Sequence, residues 1–250
     1  MPIETYIYAL LSVIAVSLVS LAGVFTLSIR EELIRKYVFI LVSLAVGALL
    51  GDAFIHLIPE TFDVFSSPLL ASLLIITGII LFFVLEKFMH WHHHGDDTNE
   101  HGIHPVGKLV LFSDGVHNFT DGIIIGISFL TSIPLGIATT LAVILHEIPQ
   151  EIGDFAVLLH AGYSRKRALW LNFLSALTAV LGTLVAFLIG GASENFTNWV
   201  LPLAAGGFIY VAVADLIPEL HKTKKVKHSI FQLLALVLGV LLMVGLIFLE

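Results

Sequence analysis

The chain has 250 residues, of which 58% are hydrophobic and 12% charged, with a net charge of -7, no cysteine and a mean hydropathy of +1.00. Globular domains average about 25% charged residues, so these values exclude a water-soluble domain, and the lack of cysteine excludes disulfides and thiolate metal sites together. The apolar runs are continuous over roughly 20 residues, the length of a spanning helix and twice that of a barrel strand, which makes this an all-α integral membrane protein.

Breaks at Pro, Gly, Asn and charged residues divide the sequence into eight expected spans: 6–29, 37–58, 68–88, 109–130, 134–160, 168–189, 199–220 and 229–249. Span 1 has no positive n-region and is too long for a signal-peptide core, so it reads as a retained helix. The 12 Lys and Arg fall after or around odd-numbered spans: Arg30, Arg35 and Lys36; Lys87 and Lys108; Arg165, Lys166 and Arg167; Lys222, Lys224, Lys225 and Lys227. Loops 1, 3, 5 and 7 share one side only if the spans between them are even in number. The segregation therefore supports eight spans, makes those loops cytosolic and puts both termini outside.

Segment 45–60 lies over segment 204–219 at an offset of 159, and both end in Leu-Ile-Pro-Glu. Span 2 runs outward and span 7 inward, so the copies are antiparallel. Spans 1–3 and 6–8 then form an inverted repeat around a central span 4/5 hairpin, an arrangement secondary transporters use to build one gate for each side. The plainer alternative is a chance match of small apolar residues. The expected organisation is a single transmembrane domain, 1–250, with a His-rich cytosolic loop at 89–107.

Residues three and four apart share a helix face, so Asp114, His117, Asn118 and Asp121 form a polar stripe in span 4. His146, Glu147, Gln150, Glu151 and Asp154 form another in span 5. An acid at mid-membrane costs roughly 2.5 to 3.5 kcal/mol, so the five acids in these stripes represent on the order of 10 kcal/mol without compensation. A divalent cation supplies it. With only Thr131, Ser132 and Ile133 between them, the spans form an antiparallel hairpin whose stripes can face each other. Pro149 is expected to kink span 5 beside His146 and Gln150, as a functional bend or as an ordinary transmembrane kink. Gly115, Gly122 and Gly126 give span 4 a small face for close helix packing. Buried histidines satisfied by hydrogen bonds are the bland alternative for His117 and His146, but each carries an acid or amide at i+4. Imidazole with carboxylate suits Zn²⁺, Fe²⁺, Mn²⁺ or Cd²⁺ rather than Cu(I), with zinc leading.

These strings, His117-Asn118-Phe119-Thr120-Asp121 and His146-Glu147-Ile148-Pro149-Gln150-Glu151, together with the segment 47–60, resemble the ZIP family of divalent-metal transporters, most nearly its LIV-1-like branch. The resemblance implies import of Zn²⁺ or a related ion into the cytosol. It implies further that His117, Asp121, His146 and Gln150 line the transport site and that Asn118 and Glu147 serve an adjacent second position. Gln150 stands where the LIV-1-like pattern carries His, which weakens one ligand.

Glu151 is counted with the metal-binding stripe. Asp52, His56 and Glu60 at the outer end of span 2, and Asp215, Glu219 and His221 at the inner end of span 7, are candidates for handing the ion in and out, with Asp114 and Asp154 along the way; the alternative for Glu60 and Glu219 is a hydrated interfacial acid. Asp52 and Asp154 are also candidate proton carriers. The loop histidines His90, His92, His93, His94, His101 and His104 are candidates for weak capture of metal leaving the pore, the alternative being a solvated linker.

The leading expectation is an alternating-access carrier without covalent chemistry, in the plasma membrane, whose partners are a divalent ion and the bilayer, with no nucleic acid and with a homodimer among the assemblies open to it. A passive channel would use the same ligands. An intramembrane hydrolase of H-E-x-x-H type fails on Gln150, which occupies the position of the second His.

Overall fold

The computed structural model describes residues 2–21, 31–91, 105–190, 194–222 and 225–249; among them it is helical throughout, with no strand. In chain order α1 is Ile3–Val19, α2 Glu31–Gly51, α3 Ile58–Val64, α4 Pro68–Trp91, α5 Pro105–Thr131, α6 Ile133–His160, α7 Arg165–Ala176, α8 Thr178–Gly190, α9 Glu194–Tyr210, α10 Ile217–His221 and α11 Val226–Leu246. Six helical stretches are long and apolar enough to cross a membrane: Val38–Val64, Pro68–Phe88, Ile133–His160, Arg165–Gly190, Phe196–His221 and Val226–Leu246. The protein is thus a helical integral membrane protein. Helix α1 is apolar but only 17 residues long. Helix α5 has 27 residues, and its polar stripe lowers its hydropathy enough to leave it outside the six.

Burial separates inner from outer helices. The apolar windows of Val38–Val64, Ile133–His160 and Phe196–His221 are each 56% buried, whereas those of Pro68–Phe88 and Val226–Leu246 are 11% and 22% buried. The first three surround the core, where Leu49, Leu57, Ile125, Phe129, Val143, Leu201 and Phe208 pack together. The other two turn Leu69, Phe83, Leu233 and Leu241 outward, as helices in lipid do.

Two short stretches depart from α geometry. Asp52–Leu57 and Val211–Leu216 are π-helical, and they join α2 to α3 and α9 to α10. Ile58 N–H bonds to Ala53 O, and Ile217 N–H to Ala212 O, each five residues back. The cause is the proline that follows each: Pro59 and Pro218 lack an N–H and would press on the carbonyl four residues upstream, and widening the preceding turn relieves the clash while keeping the backbone bonded in lipid. The two segments lie 159 residues apart. The same relation holds in packing. A Cβ on Gly47 would meet the carbonyl of Leu236, and one on Gly239 that of Leu44; likewise Gly206 abuts the carbonyl of Ile75, and Gly78 that of Leu203. Helices α2 and α11 therefore approach backbone to backbone just as α9 and α4 do.

Two boundaries differ from those expected. Between α5 and α6 only Ser132 is non-helical; it caps α6, its hydroxyl accepting from Leu135 N–H at 3.2 Å. The sixth expected span is interrupted at Leu177, where Thr178 turns its hydroxyl back onto a carbonyl, Oγ1 donating to Ser175 O (2.7 Å) in competition with the backbone ladder.

Candidate metal site

Helices α5 and α6 form the expected hairpin, and it is held to α8 by close approach. A Cβ on Gly122 would strike the carbonyl of Ala179, one on Gly182 that of Phe119, and Thr183 Oγ1 donates to Gly122 O at 2.8 Å. Gly126 faces Ala186 and Thr183 in the same seam. Pro149 is buried inside α6, which runs past it without a break.

The two polar stripes meet. His117 Nε2 lies 3.1 Å from His146 Nε2 and 3.5 Å from both Asp121 Oδ2 and Glu147 Oε1. His146 Nε2 lies 3.1 Å from Asp121 Oδ2 and 3.5 Å from Glu147 Oε1. All but His117 are essentially closed to solvent; the His117 side chain keeps 16% of its surface exposed. His146 Nδ1 lies 3.2 Å from Ala142 O. A carbonyl only accepts, so Nδ1 carries the proton and Nε2 turns a lone pair toward Asp121 Oδ2, Glu147 Oε1 and His117. Asp121 Oδ2 and Glu147 Oε1 are buried acceptors without a donor. One proton on His117 can bridge a single pair of these atoms and leaves the others facing lone pair to lone pair, an arrangement a cation resolves.

The distances fit zinc. Bonds of about 2.0 to 2.2 Å in a tetrahedral shell place neighbouring ligand atoms about 3.3 to 3.6 Å apart, and the five measured separations run from 3.1 to 3.5 Å.

Gln150 is not one of these four. It lines a cavity of about 560 Å³ that opens beneath them, together with Asp114, His117, Thr120 and Asp154 and, from the other helices, Glu86, Tyr210, Asp215 and Glu219. Glu86 accepts a hydrogen bond from Tyr210 OH on that wall, a pair that nothing in the local sequence of either helix announces. Asp215 lies on the second π turn, where it is exposed and lines this cavity. Glu219 is exposed and paired with Lys222. His221 is exposed. Asp52 and His56 are buried on the first π turn, His56 Nε2 donating to Met243 O at 3.0 Å.

A second group of acids adjoins the first. Ligand oxygens of Asp114, Glu147 and Glu151 lie within 4.8 Å of one another, all buried. Asn118 Nδ2 donates to Asp114 O (3.2 Å) and Oδ1 (2.8 Å), and Ser175 Oγ donates to Asp114 Oδ2. Asn172 Nδ2 donates to Glu151 O (3.4 Å) and to Glu151 Oε2. Of the loop histidines, His92, His93, His94, His101 and His104 lie outside the described residues, and the backbone of His90 belongs to the last turn of α4.

The sequence profile of the ZIP zinc transporters matches residues 3–108 and 92–247. The chain belongs to the ZIP zinc transporter family. Among its relatives, a fruit fly (Drosophila melanogaster) zinc transporter ZIP13 homolog is 36% identical over 83% of this chain and 77% of its own length. Zinc transporter ZIP13 of Pongo abelii is 36% identical over 97% of this chain and 78% of its own. Zinc transporter SLC39A7 of Mus musculus is 33% identical over 86% of this chain, which spans 64% of that protein. ZIP-family membership makes this chain a divalent-metal transporter rather than an enzyme.

Proposed function

We propose that this ZIP-family protein carries Zn²⁺ into the cytosol, holding the ion between α5 and α6 on His117, Asp121, His146 and Glu147 and releasing it past Gln150, Asp114 and Asp154 into the acid-lined cavity. The observation that carries the reading is the set of four ligand atoms, five of whose separations run from 3.1 to 3.5 Å, with His146 Nδ1 held against Ala142 O. Glu147 stands with the two imidazoles and Asp121 in this reading, and Gln150 lines the site where it meets the cavity below. Fe²⁺, Mn²⁺ and Cd²⁺ compete for the same donors, the imidazoles favouring Zn²⁺.

Alternating access is supported by the pairing of the two halves. Counting α1 and α5 with the six apolar stretches gives eight spans, with both termini outside. The matched π turns and the reciprocal glycine contacts at α2·α11 and α9·α4 fit an inverted repeat. Ser17 Oγ donates to Ala176 O at 2.9 Å, across 159 residues; residues related by the repeat that touch each other lie on its two-fold axis. The His-rich loop acts as a cytosolic sensor, the plasma membrane is the expected location, and a homodimer the expected assembly. The test is Zn²⁺ uptake by proteoliposomes. Saturable uptake that His117→Ala and His146→Ala abolish supports the reading; uptake unchanged by both would end it, and flux that never saturates would favour a channel.

A further inference from the structure

We propose that the groove between α5 and the α7–α8 stretch seats one anionic phospholipid, its phosphate held by Lys108 and Arg167 and one acyl chain lying along Phe112, Val116, Leu174 and Leu181. The inference is independent of which ion the metal site holds.

The groove arises where two parallel rods diverge. At Gly122 and Gly182 they meet backbone to backbone, a Cβ on either striking a carbonyl of the other. At Gly115, two turns nearer the start of α5, an added Cβ would find nothing closer than Ser175 Cβ and Thr178 Cγ2 at 3.9 Å. There the seam opens into a cavity of about 530 Å³. Its lining is apolar except for Ser175 and Thr178, whose hydroxyls are already spent on Asp114 Oδ2 and on Gly115 O (2.6 Å). Phe112, Leu174 and Leu181 are exposed along it. The groove runs from Leu111 to Phe119 on α5, eight residues or about 12 Å at 1.5 Å each. One leaflet's hydrocarbon is about 15 Å deep, half of the core, so the groove accommodates most of one extended chain.

The near end of the groove is cationic. A Cβ on Gly107 would lie 2.6 Å from the Tyr163 ring, and the Arg167 guanidinium lies over that same ring, 5.4 Å from its centroid. Arg167 and Lys108, the neighbour of Gly107, thus come to one mouth, with Arg165 and Lys166 beside them in the first turn of α7. All four are exposed, and none has an acid partner among the described residues. Stacking on Tyr163 occupies a face of the guanidinium and leaves its N–H edge for phosphate oxygens. Basic pockets between helices at this level suit anionic head groups, whereas a zwitterionic head group brings a cation of its own to the same place. Trp170, exposed one turn further along α7, stands where indoles gather at the boundary of head group and chain. Ser175, on the floor, donates to Asp114, so the lipid lies against the hydroxyl that holds an acid of the metal cavity.

The experiment is native mass spectrometry of the delipidated full chain, titrated with phosphatidylglycerol or with phosphatidylcholine of the same acyl chains. The expected result is a first phosphatidylglycerol bound at least tenfold more tightly than phosphatidylcholine. Joint Lys108→Gln and Arg167→Gln substitution should bring the two lipids within about twofold. Gly115→Leu, which fills the groove where a Cβ meets only ordinary contacts, should weaken the first phosphatidylglycerol tenfold or more without lowering the melting temperature. The proposal is overturned if the wild-type chain binds both lipids alike, as boundary lipid would, a result that needs no variant to fold. It is overturned equally if the double variant keeps the tenfold preference, if Gly115→Leu retains the lipid unchanged, or if Gly115→Leu converts a wild-type dimer to monomers, which would make a second copy of the chain the occupant.

Discussion

His117 and His146 stand with their Nε2 atoms 3.1 Å apart, one on each arm of the α5–α6 hairpin. Since His146 is pinned through Nδ1 to Ala142, the ring that can adjust to an arriving ion is His117, which is also the one with surface open to the cavity. In the proposed site an arriving ion would therefore meet one ring already held and one that is not, and the two positions should respond differently to substitution.

His146→Ala should cost more than His117→Ala. Loss of the preset ring is expected to weaken Zn²⁺ binding a hundredfold or more, and loss of the adjustable one about tenfold, with Zn²⁺ uptake falling in both. Isothermal titration of the purified variants measures the ranking; equal losses would contradict it.

Gln150→His adds an imidazole one helical turn from His146, at the top of the cavity. Zn²⁺ should bind more tightly and leave more slowly. Transport assays should show KM falling severalfold and the maximal rate falling with it.

Gly122→Val is expected to destabilise the protein by at least 1 to 3 kcal/mol, the range typical of overpacking, because the added carbons meet the backbone of α8 at Ala179 rather than a side chain that can turn away. Gly153→Ala, whose Cβ meets nothing within 4 Å, is the control and should change the melting temperature in detergent little or upward, as alanine favours the helix.

Because the chain has no cysteine, single replacements report sidedness without a background. Ser132→Cys should react with an impermeant maleimide from outside intact cells, and Ser164→Cys only after the cytosolic face is opened. The reverse pattern would invert the proposed direction of transport.

The spans and the facing stripes were legible because both are local: apolar runs report helices in lipid, and polar residues at i, i+3 and i+4 report a face. The matched Leu-Ile-Pro-Glu endings pointed to a repeat, but hydropathy is blind to hydrogen-bond register, so the π turns that those prolines impose were not visible. Nor were the partners of the acids. Asn172 and Ser175 are single polar residues in an apolar stretch, 21 and 61 positions from Glu151 and Asp114, and Tyr210 meets Glu86 across 124. Such pairs are made by tertiary packing alone. Gln150 and Glu147 both lie on the stripe, and how near each comes to His117 is decided by the rotation of α6 against α5, which the sequence does not show.

Each π turn inserts one residue that an α-helix would not hold, and an α-helix advances by about 100° per residue. Everything past Leu57 and Leu216 is therefore swung around its axis by roughly a quarter circle from where a helical wheel drawn through α2 or α9 would put it. Glu60 and Glu219 point along bearings set by Pro59 and Pro218, and a proline-to-alanine change at either site, by letting the turn tighten, would re-aim one mouth of the pathway while leaving the other as it is.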